Sequence, residues 1–303
     1  MTDTTGDNLT PTTSQSSDVV ADPSDAPAAR GGHAHTWRRY VAIGDSFTEG
    51  MSDPDPRQDD AYLGWADRLA VDLAQVANDT GHDFEYANLA IRGKLLADVV
   101  GPQLDAALAM QPDLVSMVGG GNDIMRPGVD LDDIADRLEA AVVRLKDAGA
   151  DVMLATMVNP TGSKIMARLR PRISWHIANL WGIAQRHDCY VLDVWGMRAL
   201  RDMRMWGVDR LHLSPEGHRR VAQQAAWTLG LPTEGDWLDL LPPLAPKPAR
   251  QRLAENAEWS KEYFGPWIER RLRGTSSGDG REAKRPQPTP IDRDVAAELF
   301  RRP

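Results

Sequence analysis

The chain lacks several features that would place it in common classes of protein. It has a single cysteine, Cys189, among 303 residues, which excludes an intrachain disulfide framework and disfavours a cysteine-based zinc site. Aromatic residues make up only 6%, and no apolar run approaches the about 18 residues that a membrane span needs. Basic residues are outnumbered 35 to 44 by acidic ones, so a general nucleic-acid coat is disfavoured. The N-terminus lacks a basic stretch followed by an apolar one, which predicts a cytoplasmic protein without a signal peptide.

The composition changes along the chain and predicts four segments. Residues 1–36 are rich in Thr, Ser and Asp and are expected to be a disordered tail. Residues 37–232 form the predicted globular domain, and residues 233–273 form an amphipathic helical extension. Residues 274–303 are expected to be a flexible tail, because Gly, Ser and Pro dominate their first half. Deletion of this tail is therefore expected to leave activity nearly unchanged.

Within residues 37–232, short runs typical of strands alternate with patterns of helical period. This alternation predicts right-handed crossovers and a parallel sheet that is covered by helices on both faces. Ligands of such sheets bind at the carboxyl ends of the strands. The predicted strands are Tyr40–Gly44, Phe84–Leu89, Leu114–Val118, Val152–Met157 and Cys189–Val194, and the predicted helices are Leu63–Ala77, Leu95–Met110, Leu131–Ala148, Ile173–Arg186 and Pro215–Leu229.

Two polar segments that follow the first and the last predicted strands contain a candidate nucleophile and a candidate base. Ser46 closes the sequence Gly44-Asp45-Ser46, where its hydroxyl would face the crevice. Asp209 and His212 stand three residues apart before a strong helix start, so the carboxylate could bind the imidazole. Each segment also has a simpler interpretation, because Gly, Asp and Ser dominate turns and a histidine at a helix entry is commonly a surface residue.

Two further segments carry candidate donors for an oxyanion. Asn122 follows three glycines after the third strand, and its amide could stabilise a developing negative charge. A phosphate-binding loop is the alternative, but no Gly-Lys-Ser/Thr sequence follows. Gly93 is predicted to open a helix, which would leave its N–H available to an anion. Its simpler role would be to ease a strand-to-helix turn.

Taken together and in this order, the four segments resemble the SGNH (GDSL) hydrolase superfamily over roughly residues 40–229. The resemblance implies a three-layer α/β/α flavodoxin-like fold with a five-stranded parallel sheet of order 2-1-3-4-5. It implies a serine-dependent hydrolase of carboxylic esters, and it requires no metal or organic cofactor. Members of the family act on lipids, acetylated sugars, thioesters and peptides, so neither the fold nor the motifs identify the substrate of this chain.

The resemblance also implies a role for each site residue. Ser46 would attack the acyl carbonyl, while His212 would act as general base and then acid, oriented by Asp209. The N–H groups of Ser46 and Gly93, with the side chain of Asn122, would form the oxyanion hole. Where the family commonly has a small residue, this chain has Arg92, which either binds an anionic substrate or forms a salt bridge on the surface.

Several interpretations of function and partners remain open at this point. A small-molecule ester is the expected partner, and a carbohydrate O-acetyl esterase or a non-catalytic binding module on the same fold are the alternatives. Residues 247–303 carry a net charge of +4 against −13 for the rest of the chain. The helical extension is therefore expected to pack on its own domain, although a basic amphipathic helix can also lie on an anionic membrane. The sequence specifies neither acyl chain length nor oligomeric state.

Overall fold

A computed structural model describes residues 35–160, 166–233, 235–266, 269 and 275–291. Nearly all of the predicted N-terminal tail and the last residues of the predicted C-terminal tail lie outside these ranges. Among the described helices, none is both long enough and apolar enough to cross a membrane.

In the part of the chain that the structure describes, six strands form a single sheet. They are β1 (Arg39–Ile43), β2 (Glu85–Asn88), β3 (Leu114–Met117), β4 (Asp151–Ala155), β5 (Tyr190–Leu192) and β6 (Arg285–Pro290). Their spatial order is β6-β2-β1-β3-β4-β5, and the first five strands are parallel. The predicted order 2-1-3-4-5 is therefore confirmed, and a sixth strand extends the sheet beyond β2.

The sixth strand lies in the segment predicted to be flexible. It pairs antiparallel with β2, with Tyr86 opposite Thr289 and Asn88 opposite Arg285. Three of its six residues are proline. Because proline has no backbone N–H to donate to a neighbouring strand, it is confined to the edges of sheets. The prolines are therefore compatible with a strand at the edge of the sheet but not with a central one. They also prevent a further strand from pairing with this edge.

The helices lie close to their predicted positions. The region predicted as one helix from Leu95 to Met110 is interrupted by a π-helical turn, Val99–Gln103, which contains Pro102. The helices are α1 (Ser46–Glu49), α2 (Trp65–Asp79), α3 (Leu96–Asp98), α4 (Leu104–Ala109), α5 (Gly121–Ile124), α6 (Leu131–Asp147), α7 (Arg170–Arg186), α8 (Pro215–Thr228) and α9 (Ala249–Trp259).

Helices cover both faces of the sheet, as the three-layer prediction requires. Successive side chains of a strand point to opposite faces, and β1 shows this directly. Tyr40 and Ala42 pack in one core with α2 and α8, whereas Val41 and Ile43 pack in the other with α6 and α7. With both faces covered, only the ends of the strands remain open to a ligand, and the carboxyl edge carries the polar segments identified above.

Candidate active site

Ser46 is the first residue of α1, directly beyond the carboxyl end of β1. The turn that leads to it is fixed by Gln103, whose side chain accepts from the Gly44 N–H at 2.7 Å and donates to the Gly44 carbonyl at 3.0 Å. Asp45 caps the helix, because its Oδ1 accepts the Phe47 N–H at 3.0 Å. A Cβ at position 44 would lie only 2.8 Å from Thr48 Oγ1, so this turn requires glycine.

Asp209 and His212 form a hydrogen-bonded pair in the loop before α8. His212 Nδ1 lies 2.6 Å from Asp209 Oδ2, and Asp209 Oδ1 accepts the N–H groups of Leu211 and His212 at 2.9 and 3.0 Å. Burial by itself raises the pKa of Asp209, but these hydrogen bonds and the charge of His212 bring it below its usual range. An ionised carboxylate that holds the proton on Nδ1 leaves Nε2 as the acceptor of the neutral imidazole.

The Asp209–His212 loop lies on the same side of the sheet as Ser46. The charge of His212 acts on Asp45, which precedes Ser46, and lowers the pKa of that carboxyl. The loop also packs on the segment after α1, because a Cβ at Gly207 would lie 2.7 Å from Ser52. Within the described residues, no hydrogen bond joins the Ser46 hydroxyl to the His212 ring. In ligand-free enzymes, the distance between a nucleophile and its general base is often longer than in the complex with substrate.

Gly93 lies in a turn and does not open a helix as predicted, since α3 begins at Leu96. Its φ of +75° is one that residues with a side chain rarely adopt. The turn is closed by the Lys94 N–H, which donates to the Ile91 carbonyl at 3.3 Å. The N–H of Gly93 makes no hydrogen bond to any residue that the structure describes, so the expected availability of this donor remains although its cause differs.

Asn122 lies in α5 and connects the other segments of the site. Its Nδ2 donates to the Lys94 carbonyl at 3.0 Å and to Asp45 Oδ2 at 3.2 Å. The neighbouring Asp123 accepts the Leu96 N–H at 2.9 Å, which ties α5 to the start of α3. Asp45 and Asp123 thus act as hydrogen-bond acceptors that stabilise turns.

The carboxyl of Asp45 is electrostatically unusual. Its pKa is raised to about 6, mainly by burial. The nearby carboxylates of Asp123 and Glu49 also raise this pKa, while the Phe47 N–H and the charge of His212 lower it. A carboxyl that changes charge near neutral pH beside an amide donor and an imidazole is typical of functional sites. Nothing in the local sequence distinguishes it from an ordinary capping aspartate.

Arg92 is buried, with 5% of its surface exposed, so its predicted salt bridge forms inside the protein and not on the surface. Its guanidinium pairs with Glu49, to which Nε donates at 2.8 Å, and its backbone N–H donates to the same carboxylate at 2.6 Å. The guanidinium also lies 4.8 Å from the centre of the Tyr62 ring. Its charge is matched inside the protein by Glu49, and the pair stabilises the turn before Gly93.

Two histidines behind the site were not recognised as site neighbours from the sequence. His218 donates from Nε2 to the Met51 carbonyl at 3.1 Å and accepts the Trp65 N–H at Nδ1, and burial lowers its pKa to about 3. His176 packs against Gly120, where a Cβ would lie 3.1 Å from its ring, and burial lowers its pKa to about 4. Both rings are therefore neutral supports of the site.

The buried histidines predict loss of stability in acid. Between about pH 6.5 and 4 the unfolded chain takes up protons at His218 and His176 while the folded protein does not, so the free energy of unfolding falls as the pH falls. Asp45 has the opposite effect below about pH 6, because its raised pKa makes the folded protein take up this proton at a higher pH than the unfolded chain. It is one group against two histidines. Urea unfolding at several pH values should show a shallower acid slope for His218→Gln.

The sheet order and the helices on both of its faces define a three-layer α/β fold, and the family to which the chain belongs makes it an ester hydrolase. The chain belongs to the GDSL-like lipase/acylhydrolase family, whose sequence model matches residues 42–220. This match spans all four segments and confirms the resemblance seen in the sequence. A search of curated protein sequences finds no match.

Solved structures of similar fold include several hydrolases. Axe2, an acetylxylan esterase from Geobacillus stearothermophilus, is 22% identical, with a TM-score of 0.54 and coverage of 64% of this chain and 94% of that enzyme. LAE5, an α/β hydrolase from the metagenome of Lake Arreo, has the same identity and TM-score over 64% and 95% of the two chains. TesA is 22% identical, with a TM-score of 0.51 over 63% and 98%. Variants of Axe2 described as catalytic mutants replace a serine and a histidine. At this identity the likeness establishes the fold.

Proposed function

We propose that this ester hydrolase acts through an acyl-enzyme on Ser46. The single observation that carries the proposal is the hydrogen bond between Asp209 and His212, which leaves Nε2 as the acceptor of the ring in a loop that packs on the segment after Ser46. Nε2 takes the proton of the Ser46 hydroxyl as Oγ attacks the ester carbonyl, and the imidazolium then gives that proton to the departing alcohol. Water repeats the two steps on the acyl-enzyme, which releases the acid and restores the hydroxyl.

The negative charge of the tetrahedral intermediate would be stabilised by three donors. The free N–H of Gly93 is one, the N–H of Ser46 at the start of α1 is the second, and the amide of Asn122 is the third. In the ligand-free protein the Asn122 amide donates to Asp45 and to the Lys94 carbonyl, so binding of the oxyanion would replace one of these contacts. The proposed chemistry uses side chains and backbone alone.

A fluorophosphonate probe tests the assignment of the nucleophile. The full-length protein should gain one adduct, which peptide mass analysis should locate on Ser46, because the probe reacts only with a serine activated by a base. Ser277→Ala, at an exposed serine, should be labelled like the wild type. His212→Ala should lose labelling although Ser46 is intact. Equal labelling of the His212→Ala protein would contradict the proposed mechanism.

A narrower candidate is a carbohydrate O-acetyl esterase, favoured by the similarity to the acetylxylan esterase Axe2. Rates on p-nitrophenyl esters with acyl chains of two to twelve carbons separate the candidates. A steep preference for acetate would favour deacetylation, whereas faster hydrolysis of medium or long chains would favour a lipase or lysophospholipase activity.

A further inference from the structure

Residues 275–291 contact the turn that contains Gly93. The segment begins with a tight turn in which the Ser276 N–H donates to Asp279 Oδ2 at 2.7 Å and the Gly278 N–H donates to Ser276 Oγ at 3.0 Å. The Ser276 hydroxyl then donates its own proton to the carbonyl oxygen of Arg92, at 3.2 Å. This hydrogen bond joins residues 184 positions apart in the chain and places Ser276 beside the candidate oxyanion donor.

The contact is made at close range. A Cβ at Gly93 would collide with Ser276 Oγ, and a Cβ at Gly278 would collide with the carbonyl oxygen of Arg92. Glycine is therefore required on both sides of the contact, at Gly93 for its positive φ as well. The C-terminal segment and the Gly93 turn are shaped to fit one another.

The Arg92 carbonyl and the Gly93 N–H belong to the same peptide group. The described chain contains no cis peptide bond, so the C=O and the N–H of this group point in opposite directions. A hydroxyl that binds the oxygen from one side fixes the direction of the N–H on the other side. It also polarises the peptide, which makes the N–H a stronger donor.

The segment that carries Ser276 is anchored independently of this contact. Arg281 donates to Asp60 at 2.7 Å, and Lys284 donates to Asp67 at 2.6 Å and to three backbone carbonyls. On the other side of the turn, the Arg92 N–H is held by Glu49 at 2.6 Å. Arg92 is thus held by Glu49 at its N–H and by Ser276 at its carbonyl oxygen, which belongs to the peptide between Arg92 and Gly93.

We infer that Ser276 is a positioning residue that orients the Gly93 N–H toward the oxyanion. The inference rests on the proposed function and extends it to a part of the chain outside the residues that match the family. Ser276 does not touch the substrate and acts through the Arg92–Gly93 peptide. Its contribution is therefore expected in the transition state, where negative charge develops, and not in the binding of the neutral ester.

Replacement of Ser276 by alanine in the full-length protein tests the inference. We expect kcat to fall about 10-fold with KM changed less than about twofold, because the donor is kept but its direction is no longer fixed. The Ki of phenylboronic acid, which forms a tetrahedral anion on a serine, should rise by a similar factor. Ser276→Thr keeps the hydroxyl and should recover most of kcat. Ser277→Ala, the same change at the next residue, should match the wild type in all three constants.

Two results would overturn the inference, and they are separable from failure of the proposed function. If hydrolysis depends on Ser46 but Ser276→Ala keeps the kcat and boronate Ki of the wild type, the positioning role alone is wrong. A lowered melting temperature with unchanged kcat would likewise show a purely structural role. If Ser46→Ala leaves hydrolysis unchanged, the proposed function fails, and the inference fails with it.

Discussion

Replacement of Ser46 by alanine is expected to lower kcat for ester hydrolysis about 10⁶-fold, the loss found when the nucleophile of a serine protease is removed. Without the hydroxyl, the imidazole has no group to activate and the acyl-enzyme cannot form. Because Ser46 and His212 act as one unit, the double variant with His212→Ala should be no slower than Ser46→Ala alone. Initial rates on p-nitrophenyl acetate, measured with enough enzyme to detect the residual activity, give the comparison.

Matched variants distinguish loss of chemistry from loss of fold. Asp209→Asn should cost less than Ser46→Ala, about 10⁴-fold, because the imidazole remains but its Nδ1 proton is no longer held by a carboxylate. Ser46→Ala should keep the melting temperature, since the helix is capped by Asp45 and not by the serine. If Ser46→Ala retains more than a few percent of the wild-type rate, another group supplies the nucleophile and the assignment is wrong.

Replacement of Lys284 by alanine is expected to lower the free energy of unfolding by about 1.5–3 kcal/mol, the range for the loss of hydrogen bonds to a charged group. The Lys284 and Asp67 side chains are only 17% and 16% exposed. The ammonium also donates to the carbonyls of Glu49, Tyr62 and Leu63 at 2.7, 2.9 and 3.1 Å. The variant would leave a carboxylate and three carbonyls without this donor in a partly dehydrated site.

Arg281→Ala provides the matched control within the same segment. Its ion pair with Asp60 is exposed on both sides, and such pairs stabilise a protein little. Urea unfolding curves should therefore show a large shift of the midpoint for Lys284→Ala and a small one for Arg281→Ala. Equal midpoints for the two variants would mean that Lys284 does not anchor the segment.

The same contacts argue against an expectation drawn from composition. Deletion of residues 274–303 was expected to spare activity, because a Gly-, Ser- and Pro-rich stretch was predicted to be a linker. In the structure, part of that stretch pairs with β2, anchors itself through Lys284 to Asp67 and binds the peptide before Gly93. Composition reports the average tendency of a segment to order by itself, whereas here order comes from partners more than 180 residues away.

Local sequence was sufficient where the signal is itself local. The periodicity of α6, the Ser214 cap with Pro215 at the start of α8, and the Asp209–His212 spacing are features of a few neighbouring residues, and the structure has each of them. Hydrophobic alternation with helices likewise determines a parallel sheet, because both of its faces must be covered.

Contacts between distant segments could not be predicted in this way. The burial of Arg92 against Glu49, the hydrogen bonds from Gln103 to Gly44 and the contact of Ser276 with the Arg92 carbonyl depend on which segments meet in space. No property of an isolated arginine, glutamine or serine indicates such a partner. The raised pKa of Asp45 has the same origin, since burial and neighbouring charges exist only after folding.

The amino-acid sequence by itself determined the family, the order of the central strands and the four segments that meet at the carboxyl edge of the sheet. The tertiary structure alone decided that Arg92 is neutralised inside the protein and that the C-terminal segment becomes the sixth strand and supports the Gly93 turn. The physical reason is that motifs and periodicity are encoded by neighbours along the chain. The charge, burial and orientation of a side chain are set by residues that only folding brings beside it.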